Sequence, residues 1–456
     1  MPLTPGSAQE VVTELFELRS KDRRRIEKIR DYLTNEARLT WLPLGTPREL
    51  QALAQMSRVN MMPLAVKATT QQMFVDGYVS DDEDAAQIIW GVWQRNRWDR
   101  KQIGVHKSAA SYGVGYGVVM PSDNSVPSLR SVSPRTMTTA YGVDTDWPRY
   151  ALEDLTNGTW RLYDETHTYD FERAAAKNKR SGAGAATFTF VEGSATPHEQ
   201  DVTPVVRYVS EEDIDDPVLG DVEPLFTLQD QINLITFHLL VAEHYGAHGR
   251  KIIIGRMVKE LEAKLVKVSA NTMMTVNAEP GDVQFEELSQ TALDDFIESR
   301  QAALRLMSAI GQVPAHELLG NLANLAAAAL VESRESTARK VNERQIIIGE
   351  AHEQLLGQAG TLLGLEVDPM ARIRWKPTID QRAIQLVDML AVIAEKLSVP
   401  PQALWDQLPF SASDIEEFRN QAAEFAEPEQ QDSDDAAMEE TEPEDEETED
   451  AGSVGT

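Results

Sequence analysis

The sequence predicts an α+β protein, mainly helical. Three observations carry this. Amphipathic runs of helical period lie on both sides of a block of short alternating runs at 127–210. Two long helical stretches, one opening at 223 and one running from 291 to about 357, flank a compact insertion. The last thirty or so residues are too acidic and too poor in apolar side chains to build a core.

At 456 residues the chain has room for two or three domains, each with a core of its own. It contains no cysteine, which excludes disulfides, thiolate metal sites and a cysteine nucleophile. Net charge is −31, and residues 427–450 hold 14 Asp or Glu and no Lys or Arg. The remainder is acidic too, which disfavours tight, general DNA binding, since that draws on phosphate neutralisation. The opening residues show no basic segment followed by an apolar one, and no run approaches the roughly 18 apolar residues of a membrane span. A soluble, unexported protein with no membrane contact is expected.

Ser7 and Glu10 have the spacing of a capping box, and the helix they open is expected to reach about Thr34. Its RSKDRRRIEKIR middle is basic, yet Asp22, Glu27 and Asp31 interleave at helical spacing. This favours a salt-bridged helix, solvated or facing a subunit, over a phosphate contact. WLPLGTPREL reads as a turn, and a helix is expected from about Asn60 to Phe74. In a helix over 83–96, Ile88, Ile89, Trp90, Val92 and Trp93 form a core face.

From Lys107 a helix leads into SYGVGYGVVM, where it gives way to a strand. Its glycines at 113, 115 and 117 miss the G-x-G-x-x-G spacing, and helix-then-strand is the reverse of a dinucleotide site. The alternating runs to residue 210 predict a small antiparallel sheet, with 177–186 as a flexible loop.

In the next helix, Leu228, Ile232, Ile235, Leu239 and Ala242 form one apolar stripe. Leu234, Phe237, Val241 and Tyr245 lie well off it, so the helix requires neighbours on two sides, one of which another subunit could supply. Residues 250–290 read as an α/β insertion whose basic residues, Arg250, Lys251, Arg256 and Lys259 among them, suit an acidic partner, DNA backbone or ordinary surface. Thr291 and Asp294 then cap a helix to about Gly311. QVPAHELLGNLAN interrupts it, and a helix of about 35 residues resumes at Leu325, on the order of 50 Å long. Glu335, Arg339 and Glu343 would ladder its exposed middle. A strand RIRWKP, a helix RAIQLVDMLAVIAEKL and two shorter helices precede the disordered tail.

Chemistry-bearing patterns are sparse. His244 and His248 have zinc-helix spacing, with His238 nearby, but Gly246 weakens the helix and no glutamate stands where a zinc hydrolase needs one. No P-loop and no G-x-S-x-G elbow occurs. The residues argue against an enzyme and call for no cofactor or metal.

The order of features resembles the portal proteins of long-tailed (siphovirus) bacteriophages, in the branch infecting actinobacteria. The segments carrying the likeness are RVNMMPLAVKATTQQMFVDGY, SYGVGYGVVM with VSPRTM, TPVVRYV, EPLFTLQDQINLITFHLLVAEHYGAHGRKIIIG, LAAAALVESRESTARKVNERQ and RIRWKPTID. The resemblance implies a twelve-subunit ring at one capsid vertex, with double-stranded DNA passing through without sequence specificity. It divides the chain into a wing at 1–222, stem helices at 223–249 and 291–312, and a clip at 250–290. A tunnel loop at 313–324, a spine helix at 325–366, a C-terminal wing and crown at 367–424 and an acidic tail at 425–456 complete it. The clip would dock the large subunit of the packaging terminase and then the head-to-tail connector, and the body would meet major capsid and scaffold proteins. Assembly would take place in the host cytoplasm.

Within that scheme His316, Glu317, Asn321 and Asn324 would lie closest to DNA. Leu234, Phe237, Val241 and Tyr245 would meet the adjoining subunit. Relatives with a Ser-Gly pair where this chain has alanines at 326–329 leave the loop boundary open. A helical adaptor or scaffold that binds an acidic or nucleic-acid partner without forming a pore is the alternative.

Overall fold

The computed structural model describes residues 2–39, 41–142, 147–173, 187–213, 218–246, 251–255, 283–287, 292–320 and 327–376, with short pieces beyond. One compact unit spans Met1–Trp375 and a second Lys376–Thr456. The predicted loop at 177–186, most of the insertion and the acidic tail lie outside the described residues. In the second unit, 389–396 is helical, within the run expected to be so. The division between the two units falls after the RIRW strand.

The first unit opens with α1 (Pro5–Leu33), α2 (Arg48–Met56) and α3 (Met62–Thr70), then β1 (Val75–Val79), α4 (Glu83–Arg95) and α5 (Trp98–Tyr112). Nine strands come next: β2 (Val114–Met120), β3 (Ser128–Val132), β4 (Met137–Tyr141), β5 (Pro148–Asp154), β6 (Thr159–Tyr163), β7 (His167–Arg173), β8 (Phe188–Phe190), β9 (Thr196–Pro197) and β10 (Val205–Val209). A 3₁₀ turn (Glu223–Leu225) starts α6 (Phe226–Gly246). Strands β11 (Lys251–Gly255) and β12 (Val283–Glu287) pair antiparallel, then come α7 (Asp294–Gly311), α8 (Ala315–Leu319), α9 (Ala327–Leu362) and β13 (Arg372–Trp375).

The structure corrects several expectations. The cap of α1 is Thr4, whose hydroxyl accepts the Ser7 amide, because Pro5 at the first helical position starts the helix before Ser7. The N-cap of α7 is Leu293, two residues past Thr291, with no side-chain cap bond. The supposed turn at 41–50 already contains the start of α2. The helix from Asn60 is short, and 75–79 is a strand whose antiparallel partner, β13, lies some 300 residues away.

The single sheet is in fact two. One has the order β10-β2-β3; the other runs β4-β5-β6-β7-β8, with β9 also on β7. Tyr116, Val118, Met137, Ala151, Tyr163 and Val205 form a shared apolar layer. On α4, Ile89, Val92 and Trp93 are buried as expected, but Ile88 is 52% exposed.

The glycines of SYGVGYG are there for packing. Gly113 ends α5 at φ +83°, and a Cβ there would come 2.6 Å from the Val218 carbonyl oxygen. Gly117 lets α9 approach β2: its Cβ would stand 2.6 Å from Leu355 Cδ1.

Two apolar cores set the positions of α6, α7 and α9. In the first, Val341, Ile348, Ala351, Leu355 and Ala359 of α9 pack on Trp93, Trp98, Val105 and Tyr208. In the second, Ile29 and Tyr32 of α1 and Met62 and Val66 of α3 meet Leu228 and Ile232 of α6 and Ala303, Leu304 and Met307 of α7. The N-terminal half of α1 packs instead on Trp160, Phe171 and Phe188 of the larger sheet. The helix thus bridges two cores, and in its basic middle Arg19 and Arg25 reach the protein while residues 21–24 are exposed.

Candidate channel hairpin and its roots

Helices α6 and α7 form a hairpin around the inserted β11–β12 pair. Along α6, Leu228, Ile232 and Leu239 are buried, while Ile235 and Ala242 are half-buried. The polar residues among them act as ties. Gln229 accepts the Met61 amide at 3.0 Å and donates to the Val59 carbonyl at 2.6 Å. Asn233 accepts the Val59 amide at 3.1 Å and the Gln229 side chain at 3.0 Å. Tyr32 donates to Asp230 at 2.9 Å and stacks on Phe226 with ring centroids 4.1 Å apart. Asn60 closes the wedge by donating to the carbonyls of Tyr32 and Leu33. The LQDQIN and RVNMMP segments, far apart in sequence, therefore form one joint in which the side chains of Gln229, Asp230, Asn233 and Asn60 all find protein partners.

The base of the hairpin is held by α1 and α9. Arg25, in the basic stretch of α1, donates to both Glu223 carboxylate oxygens, at 2.8 and 2.6 Å, and to the Val218 carbonyl at 2.8 Å. Arg23 pairs with Glu27 at 2.7 Å on the exposed side. These arginines serve the subunit's own carboxylates, in keeping with the salt-bridged reading.

On α9, Thr337, Lys340 and Arg344 share one face. Arg344 donates to Asp221 with Nη1 at 2.7 Å and Nη2 at 2.5 Å, and to Thr69 Oγ1 at 3.0 Å. Lys340 Nζ lies 2.7 Å from Asp221 Oδ1 and donates to the Gly311 carbonyl at 3.3 Å. Thr337 donates to the Gln312 carbonyl at 2.6 Å. Asp221 lies just before the 3₁₀ turn that starts α6, while Gly311 and Gln312 end α7, with Gln312 at φ +52°. One face of α9 therefore clamps both roots of the hairpin, and the Lys340 ammonium sits where the α7 C-terminal carbonyls are otherwise unsatisfied.

The electrostatics agree. Burial alone would raise the Asp221 carboxyl, but Arg344 and Lys340 outweigh it and hold its pKa below the ordinary value. Burial likewise disfavours the Arg344 charge, and Asp221 reverses that, leaving its pKa raised. Deeper in the α9 core, His106 and His352 face each other with Nε2 atoms 2.9 Å apart, and the Tyr208 hydroxyl is hydrogen-bonded to His352 Nδ1 at 3.0 Å. Both rings are fully buried. Burial lowers His106 to about 4, and lowers His352 well below the usual value, with His106 adding to the effect.

The residues expected to face DNA fall into two groups. His316 and Glu317 lie not in an open loop but on α8, where His316 is only 7% exposed and Glu317 points to solvent. Asn321 and Asn324 lie outside the described residues. Of the basic docking set, Lys251 begins β11, and Arg250, Arg256 and Lys259 are outside the described residues.

On α6, Leu234, Phe237 and Val241 are half-buried and Tyr245 is 37% exposed. Part of that face is covered by the chain itself: Trp41 packs on Phe237 at 5.1 Å between centroids, and Glu49 of α2 meets His244 at 2.5 Å. His238 is exposed, and His248 is outside the described residues. Among the described residues no group of three or more His, Cys, Asp or Glu is placed to hold a metal ion.

Sequence reasoning missed Asp221, Thr337, Lys340 and Arg344. The available signal was Arg344 on the Val341–Ile348 face of α9, a charge in an apolar stripe. Gln229 and Asn233 beside Leu228 and Ile232 gave the same signal on α6.

Buried polar groups tie these helices together around a rooted hairpin. A family model described as phage portal protein, SPP1 Gp6-like, matches residues 14–435. The chain belongs to that family of phage portal proteins, which are structural rather than catalytic. No curated protein matches it. Among solved structures, it is similar to a chain of the virion of the native gene transfer agent particle, at 15% identity over 78% of this chain and 90% of that one, with a TM-score of 0.44. Chains from the necks of the empty and native gene transfer agent particles are similar at 17% and 16% identity. They cover 81% and 80% of this chain and 96% and 94% of theirs, with TM-scores of 0.44 and 0.45.

Proposed function

We propose that this chain assembles into a closed ring, of twelve subunits by the resemblance of its motifs, at one vertex of a phage capsid. Double-stranded DNA passes along the ring axis during packaging and ejection. The observation that carries the reading is the family match over 14–435, nearly the whole chain. The α6–α7 hairpin supports it physically, because a wall element needs both ends anchored, and α9 holds both roots.

In this reading the inserted segment, with Arg250, Lys251, Arg256 and Lys259, docks the terminase large subunit and later the head-to-tail connector. Capsid and scaffold proteins meet the body. DNA slides past Glu317, with His316 packed beneath it and Asn321 and Asn324 beyond. Weak, sequence-blind contact suits a conduit, since each strong Lys or Arg contact to phosphate would add a barrier at every step. Leu234, Val241 and Tyr245 of α6 meet the adjoining subunit.

Negative-stain microscopy of the purified chain tests the proposal. Closed rings with a central hole are expected; monomers or dimers at every concentration would count against it.

A further inference from the structure

Strand β3 stands at one end of the order β10-β2-β3, so one of its edges is free of any strand. The corner between α4 and α5 covers half of that edge. Asn96 accepts the Leu129 amide at 2.9 Å, and Lys101 donates to the Leu129 carbonyl. Ser131, two residues further on and opposite Gly117 of β2, turns its backbone amide and carbonyl the same way, by the alternation of an antiparallel ladder. Neither group has a partner among the described residues. An open donor and acceptor side by side on an edge are a template for one more strand.

Ser131 borders a groove of about 380 Å³ between β3, α5 and the end of α1. Leu33, Val105 and Val132 make its lining largely apolar, and a Cβ on Gly104 would meet nothing within 4 Å. Ser111, only 6% exposed, also lines the groove, and its hydroxyl has no partner among the described residues. Lys107 lies on the wall, and Arg30 and Arg135 stand close enough for their charges to act on the Tyr112 hydroxyl. Arg100, two turns before Lys107, is exposed on the same face of α5. None of these four cations forms an ion pair among the described residues. On a chain of net charge −31 this is a local surplus of positive charge with no carboxylate of its own.

We propose that the groove docks an extended segment of a partner protein, added as a strand to the free edge of β3, with an apolar side chain in the groove and carboxylates on either side. The proposal stands whether or not the chain forms a ring. The Ser131 backbone pair chooses between anions. A phosphodiester can accept from the amide but has no donor for the carbonyl and no apolar group for Leu33 and Val132. A peptide supplies all three, as in other cases of strand addition.

Fluorescence anisotropy of the full chain with a labelled ten-residue peptide, one phenylalanine among glutamates, tests this. Saturable binding is expected, weakened at least tenfold by Lys107→Glu with Arg135→Glu. Gly104→Leu places a side chain in open space and favours the helix, so it should abolish binding without lowering the thermal melt. Ser131→Pro removes an edge amide that bonds nothing in the fold and should weaken binding at least fivefold. No saturable binding by the parent, or equal binding of a peptide with glutamines for glutamates, would overturn the proposal. Displacement of the peptide by a short DNA duplex, with Ser131→Pro without effect, would overturn it in favour of a phosphate site. Binding that appears only once residues 427–456 are removed would give the groove to the chain's own acidic segment instead, and loss of binding on ring formation would give it to a second copy.

Discussion

Arg344 of α9 grips Asp221 through both terminal nitrogens, with both side chains only 2% exposed, at the residue that leads into the hairpin. Removing one partner of a buried pair leaves an uncompensated charge, at a cost of about 3–5 kcal/mol. Asp221→Ala should therefore lose stability of that order in urea titrations. Asp221→Leu combined with Arg344→Met should lose less than the single change, because the buried guanidinium is removed with its partner and only Lys340 is left without the carboxylate. A double variant as unstable as the sum of the singles would show that the two residues act independently.

Acid should weaken the fold in two windows. His106 is neutral in the folded state, with its pKa depressed to about 4 against 6.5 for a free ring, so the unfolded chain takes up a proton first as pH falls. Stability is full above pH 6.5 and declines toward pH 4, by on the order of 3 kcal/mol for this one ring. His352 shifts in the same direction. Asp221, whose folded pKa is also depressed, contributes above its unfolded value near 3.8 and loses that contribution as pH drops further. Melting temperature followed from pH 7 to 4 should fall, and His106→Leu with His352→Leu should flatten the slope. An unchanged slope would assign it to other groups.

Gly113 occupies a backbone conformation that side chains rarely adopt, with the Val218 carbonyl against it. Gly113→Ala should cost more than about 1 kcal/mol, combining strain with backbone displacement. Gly158, also at positive φ but open to solvent, is the control expected to cost less; equal losses would refute the close-approach argument.

Glu317 is the exposed member of the α8 pair. Glu317→Lys should slow packaging or ejection by adding a phosphate contact in the passage. Unchanged DNA content and ejection kinetics would remove this residue from the DNA-facing set.

Val241 is half-buried on the outer side of α6. Val241→Asp should abolish rings before it unfolds the subunit, with light scattering reporting assembly and circular dichroism reporting fold. Intact rings carrying the aspartate would move the contact elsewhere.

Much of the fold was legible from local pattern. The spacing of Leu228, Ile232 and Leu239 identified α6 and its core face, and the long periodic run after 325 identified α9 to within a few residues, because a helix writes its period into adjacent sequence. The helix-to-strand change at Gly113 was legible for the same reason.

What the sequence alone determined, then, was the succession of helices and strands, the acidic tail and, through the order of its segments, the family. The tertiary structure alone decided which distant segments meet. It paired β1 with β13, split the strands into two sheets, covered Phe237 with Trp41, and turned Arg344, one arginine among many, into a buried clamp on Asp221. Periodicity records which side of an element is apolar, whereas a hydrogen bond between residues more than a hundred positions apart exists only once the chain has closed around it.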